Sequence, residues 1–271
     1  MIMPDWQETL LDYLGSSNED DQIIKFISEI ILPELSKLEE IVWLEVGPGP
    51  GTKTKQIVQS IRKSKTTHLR QLCMVEPSLT WREFQTTHCP DLVKVGELLD
   101  LTFEDYVHGY SEVTRFHPNF ITCIHVLYES ELIDKFISYL KRCEHGQSSL
   151  VSCIIVESEQ SDFYKLRKQL KELGIVKPVQ AVREIRRVLA MNEIRAVEKE
   201  IDGQSFRLQD GEQGLDWLLQ FLIGCESNKY LSLPIDIKNE GKSIIDKFIA
   251  RKNSRTLDVP DTSFMISIGC L

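Results

Sequence analysis

Hydrophobic and polar positions change their period near residue 41. Before it, Trp6, Leu10, Leu11 and Leu14 share one helical face, and Ile23, Ile24, Ile27, Ile30 and Ile31 form a second stripe. Two helices are predicted, separated by Gly15-Ser16-Ser17-Asn18. Ser17 or Asn18 caps the second, with Glu19, Asp20 and Asp21 in its first turn, where the helix dipole favours acids. Pro33 and Leu35 mark its end.

From residue 41 short apolar runs alternate with helical patterns. Strands are predicted at 41–46, 71–75, 92–95, 120–126, 150–156, 194–201 and 262–268. Helices are predicted at 52–64, 79–87, 130–142, 161–173 (closed by Gly174) and 179–190, and 103–106 reads as a loop or short helix. Such alternation means βαβ units and a mostly parallel sheet. Residues 203–260 break the rhythm. Leu215, Trp217, Leu218, Phe221 and Leu222 share one helix, Leu233-Pro234 follows, and a second helix runs near 236–250. A helical insertion is expected there, with 253–261 as a mobile loop.

The densest local chemistry is at 41–51, IVWLEVGPGPG. An apolar strand runs into Glu45 and then Gly47, Gly49 and Gly51, with a helix behind. Glycines let a backbone come close to a ligand. The spacing lacks the third glycine of the dinucleotide fingerprint, so a nucleoside beside a carboxylate fits better than a pyrophosphate. That carboxylate is Glu76, which ends the run Leu72-Cys73-Met74-Val75 and is placed to accept both hydroxyls of a ribose.

Glu45-Val46-Gly47-Pro48-Gly49-Pro50-Gly51, with Val75-Glu76-Pro77-Ser78 after it, resembles motif I and the second strand of class I S-adenosylmethionine-dependent methyltransferases. Ile124-His125-Val126-Leu127-Tyr128, Ile201-Asp202-Gly203 before a Trp/Phe-bearing helix, and Thr262-Ser263-Phe264 extend the resemblance to the histamine N-methyltransferase family. The resemblance implies a Rossmann-like sheet with an antiparallel last strand. It implies an N-terminal helical cover (1–40), a cofactor-binding domain (41–202 plus 261–271) and a helical substrate-binding insertion (203–260). It implies S-adenosyl-L-methionine as cofactor, S-adenosyl-L-homocysteine as product, and a cytosolic monomer that methylates an imidazole nitrogen. The cofactor residues it assigns are Glu45, Gly47, Gly49, Gly51, Glu76, Pro77, Ser78 and Ile124.

The substrate half departs from the family. Where the family has Gln and two tyrosines, this chain has His125, Tyr128 and Glu129. The family's N-terminal substrate acid falls on Glu19 or Asp20, its Asn near the last strand falls near Pro260 or Asp261, and a substrate-facing Trp falls on Arg167. His125, Tyr128, Glu19 and Asp20 are the catalytic candidates. Tyr13, Glu129, Trp217 and Phe221 are the substrate-binding ones, the last two as an aromatic wall for a cation. A neutral imidazole needs little activation near pH 7, whereas an aliphatic amine needs a base, and His125 suits either task. The alternatives are a different acceptor, such as a carboxylate, phenol or peptide side chain, and a fold that binds ligand without turnover.

Composition narrows the classes. Over 271 residues, 42% hydrophobic and 27% charged content are those of a globular protein. A net charge of −9 argues against nucleic acid and weakly favours a cationic small substrate. No apolar run reaches membrane-spanning length, and no signal peptide is visible. Seven cysteines without a Cys-x-x-Cys pair suggest no metal site or disulfide frame; Cys73, Cys123 and Cys153 read as core.

Overall fold

The computed structural model describes residues 6–64, 66–110, 116–144, 149–176, 180–223 and 227–268. These fall into two compact units. One comprises residues 23–156, 181–200 and 262–271; the other comprises 1–22, 157–180 and 201–261.

The first unit is built on a seven-stranded sheet. Its strands are β1 (Glu40–Val46), β2 (His68–Val75), β3 (Gly96–Leu99), β4 (Phe120–Ile124), β5 (Leu150–Glu157), β6 (Val197–Ile201) and, last in the chain, β9 (Asp261–Ile268). The order is β3-β2-β1-β4-β5-β9-β6, mostly parallel with one antiparallel strand. Continuous apolar runs make the central strands: β4 is buried throughout, and β5 at all but Glu157. The register pairs Val46 with both Val75 and Cys123, so β1, β2 and β4 end level with one another. Strand order reverses between β1 and β4. That switch point, at the carboxyl ends of the strands, is where open α/β sheets bind ligands. The short α3 (Leu32–Leu35) precedes β1; helices α4 (Thr52–Lys63), α5 (Leu79–His88), α8 (Ser130–Glu144) and α10 (Ala181–Met191) flank the sheet, and α10 packs on α8. Trp43, Phe120 and Phe136 are fully buried, and Cys73, Cys123 and Cys153 are buried free thiols, as expected.

Several elements differ from expectation. Residues 92–95 form no strand: Pro90–Val95 is helix α6, and β3 follows it. Leu-Val-Lys-Val satisfies both periods, but Pro90 at the first helical position starts a helix. Gly96 then lets β3 lie against β2, since a Cβ there would stand 2.8 Å from Leu72 Cγ. Strand β4 stops at Ile124 because His125 turns left-handed (φ 58°). Strand β6 begins at Val197 rather than at 194. Segment 103–106 is α7 (Phe103–Asp105), which continues into a short π-helix, Tyr106–Tyr110.

The second unit is helical around a small two-stranded antiparallel sheet. It contains α1 (Trp6–Ser16), the start of α2 (Glu19–Phe26), α9 (Asp162–Leu170) with a 3₁₀ turn (Lys171–Leu173), α11 (Gly211–Ile223), α12 (Ser227–Ser232) and α13 (Ile235–Lys252). The side chain of Trp6 lies outside the described residues. Residues 253–261 are not simply a loop: β8 (Thr256–Asp258) pairs antiparallel with β7 (Ser205–Arg207). Three-residue strands are too short to carry a readable period. Asn18 caps α2 less than expected. Its side chain donates to the Gly203 carbonyl (2.9 Å) and accepts from the Ser205 amide (2.7 Å), while Ser17 Oγ accepts from the Glu19 amide at 3.4 Å.

Buried Asp162 ties this unit together. It accepts from Lys252 Nζ and from the Asp258 amide (2.9 Å), joining α9, the end of α13 and β8. Asp162→Ala removes both bonds and strips Lys252 of a buried partner, a loss of about 2 kcal/mol. A lowered midpoint in denaturant unfolding is expected; a variant as stable as wild type would deny the tie.

Candidate active site

Four chain segments of the sheet unit meet at the switch point. Gly47 donates to the Val75 carbonyl (2.9 Å) and leaves β1 with φ 65°. A Cβ at Gly47 would stand 2.4 Å from Val126 Cγ2, so only glycine lets the turn after β1 touch the turn after β4. The turn is closed by the Gly51 amide on the Pro48 carbonyl (3.0 Å), and Gly51, also left-handed (φ 77°), starts α4.

Glu76 follows β2 and is 5% exposed. Its Oε2 accepts the Gly49 amide at 3.0 Å and its Oε1 the Ser78 amide at 2.9 Å. Each oxygen keeps a further lone pair. Burial raises its pKa; the two amide bonds and Arg82 oppose the rise. Arg82 donates to the Glu76 carbonyl (2.8 Å) and pairs with Asp100 (2.7 Å). Ser78 caps α5 by accepting from the Trp81 amide at 3.4 Å, and Pro77 between them is exposed. Gly49 itself (φ 56°) has no atom within 4 Å of where a Cβ would sit. A left-handed glycine with open space beside it, next to a buried acid at a strand end, fits the nucleoside end of S-adenosylmethionine.

Glu45 lies deeper, 2% exposed. Trp43 Nε1 donates to Thr122 Oγ1 (2.6 Å), which donates in turn to Glu45 Oε2. Burial pushes the Glu45 carboxyl up to about 7, against the pull of Thr122 and Lys53. Ile124 is buried at the end of β4. His125 donates its amide to the Ile155 carbonyl (2.8 Å), and its Nδ1 bonds Tyr128 Oη (2.8 Å). A non-glycine residue held left-handed is a strained feature of the kind found at functional sites. Glu129 is exposed and only its carbonyl enters the next helix, accepting from Ile133.

The remaining candidates lie in the helical unit. Tyr13 donates to Glu19 Oε2 (2.5 Å), and both are buried. Burial, then the charges of Glu19 and Asp261, push the phenol well above its ordinary pKa, so it stays a donor. Asp261 is fixed by Gln204 through two bonds of 2.7 Å. Tyr13 stacks on Phe221 (4.9 Å), and Trp217 stacks between Phe206 (5.0 Å) and Phe221 (5.3 Å). Phe221 is core, and Trp217 is only partly buried. Asp20, also partly buried, lies in the first turn of α2. Arg167 pairs with Glu157 and bonds the Leu222 carbonyl (3.3 Å), which seats α11 on α9.

Sequence reasoning missed Arg82 and Gln85, which hold Glu76 and Gly49. The available signal was their spacing from Ser78, which puts all three on one side of α5.

No family model matches the chain, and no curated protein does. Solved structures do. A cyclopropane-fatty-acyl-phospholipid synthase-like protein from Lactobacillus casei is similar over 90% of this chain and 91% of its own, with TM-score 0.54 and 10% identity. A SAM-dependent methyltransferase from Archaeoglobus fulgidus is similar over 92% and 94%, with TM-score 0.48 and 11% identity. At such identities the likeness speaks for fold alone, and the strand order together with the first of these likenesses shows the Rossmann-like class I methyltransferase fold.

The raised Glu45 carboxyl makes stability depend on pH. Between its ordinary 4.5 and about 7 the folded state binds more protons than the unfolded one, so stability falls as pH rises through that window. The loss is roughly 3 kcal/mol. Glu45→Gln should therefore raise the thermal midpoint at pH 8 by about 5 °C and change it little at pH 4.5. An equal effect at both pH values would contradict this.

Proposed function

We propose that the chain is an S-adenosylmethionine-dependent N-methyltransferase that acts on a nitrogen of a small imidazole or amine, as histamine N-methyltransferases do. The observation that carries it is Glu76, a buried carboxylate locked to the glycine turn at the switch point. Glu76 receives the ribose hydroxyls, Gly47, Gly49 and Gly51 admit the ligand's backbone-facing side, and Glu45, Pro77, Ser78 and Ile124 complete the cofactor set. S-adenosylmethionine, when bound, supplies a methyl group already activated on a positively charged sulfur.

The chain must then mainly hold and orient a nucleophile. His125 handles the acceptor's proton, and its Nδ1 bond to Tyr128 fixes the ring. Glu19 and Asp261 supply the counter-charge for a cationic tail, with Tyr13 holding Glu19 by its hydroxyl and Asp20 and Glu129 as outer acids. Trp217, backed by Phe221, presents an aromatic face to it. Residues 1–40 act as the N-terminal helical cover, 203–260 as the substrate-binding insertion, and 41–202 with 261–271 as the cofactor-binding domain. The net charge of −9 supports a cationic small molecule over nucleic acid. Among the described residues no helix is long and apolar enough to cross a membrane. We take the working form to be a cytosolic monomer.

The test is methyl transfer from labelled S-adenosylmethionine to a panel of histamine, histidine, simple amines and other imidazoles, with phenols and carboxylates beside them. Transfer to a nitrogen, lost by at least about tenfold in His125→Ala, is expected. Transfer only to phenols or carboxylates, or none to any member, would overturn the N-methyltransferase reading.

A further inference from the structure

Gly49 is held at both of its backbone polar groups. Its amide donates to Glu76 Oε2, and its carbonyl accepts from Gln85 Nε2 at 2.6 Å. Gln85 is fully buried on α5 and lies along the turn: a Cβ added to Gly51 would stand 3.0 Å from Gln85 Cγ. The Gly49 carbonyl requires a donor, which fixes which amide atom faces it. The other atom, Oε1, is buried and has no donor among the described residues.

Burying an acceptor without a donor is unfavourable. For packing alone, an apolar side chain of the same length, such as Met, would serve better. The amide is therefore retained for the bond it makes to Gly49.

The same helix also approaches Glu76 twice, through the Ser78 amide on Oε1 and through Arg82 on the main-chain carbonyl. Helix α5 thus grips the acid and the glycine turn at once. Gln85 is its contact to the turn.

Resting on the cofactor reading above, we propose that Gln85 is a positioning residue for the cofactor. It fixes the Gly49–Pro50 peptide, which keeps Gly49 left-handed, its amide on Glu76 and the space beside its Cα open. Gln85 sets affinity for the nucleoside ligand without touching it.

Calorimetric titration of S-adenosyl-L-homocysteine into wild type, Gln85→Met and Gln85→Glu, with thermal midpoints alongside, tests this. Gln85→Met should weaken binding by at least about tenfold while its midpoint holds or rises. Gln85→Glu places a carboxylate against the Gly49 carbonyl at pH 8 and a donating carboxyl once protonated. Its affinity, relative to wild type at the same pH, should recover towards pH 5, and that of Gln85→Met should not.

Wild-type affinity in Gln85→Met would overturn the proposal. So would weakened binding with a parallel fall in midpoint and no recovery in Gln85→Glu, which is what a merely structural residue would give. Absence of binding by wild type would sink the cofactor reading itself and this inference with it.

Discussion

The sheet unit depends on one short contact, the Gly49 amide on the Glu76 carboxylate. It exists only if three conditions hold together. Parallel β1 and β2 must end level, which the Val46–Val75 register ensures. The turn after β1 must pass through left-handed backbone at Gly47, Gly49 and Gly51. Helix α5 must start at once after β2, so that the Ser78 amide reaches the second carboxylate oxygen. A buried acid is unfavourable unless it is hydrogen-bonded. The same bonds that make Glu76 tolerable also set the shape of the turn, so fold and candidate site are one arrangement here.

Glu45 and Glu76 show how two acids near one turn differ by surroundings. Glu76 accepts two backbone amides and has Arg82 close by, all of which favour its charge. Among the described residues Glu45 receives the Thr122 hydroxyl alone, with the charge of Lys53 besides, and burial pushes it up to about 7. In the helical unit, Tyr13 takes the opposite part, as a phenol kept protonated beside Glu19 and Asp261. Donor and acids there form a polar centre inside an aromatic shell of Phe163, Phe206 and Phe221.

Much of the sheet was legible because central parallel strands must be apolar on both faces, as the runs at β1, β4 and β5 are. The glycine turn and Glu76 were legible because backbone approach and a strand-terminal acid leave residue-level marks. Residues 92–95 misled because a four-residue apolar pattern fits helix and strand alike, and Pro90 was the better cue. Strands β7 and β8 were invisible because their pairing depends on tertiary contacts rather than on period. Gln85 and Arg82 were missed because their roles depend on how α5 is rotated against the turn, which the spacing permits but does not dictate. Arg167 falls where the family has a substrate-facing Trp, yet it forms a shielded pair with Glu157, with 15% and 11% of the side chains exposed.

The central claim is that Glu76 takes the ribose hydroxyls of a nucleoside ligand. The most direct measurement is calorimetric binding of S-adenosyl-L-homocysteine and its 2′,3′-dideoxy analogue to wild type and to Glu76→Ala. Wild type should prefer the hydroxylated ligand by at least about tenfold, and Glu76→Ala should bind both weakly and alike. Equal affinity of wild type and Glu76→Ala for S-adenosyl-L-homocysteine would contradict that claim.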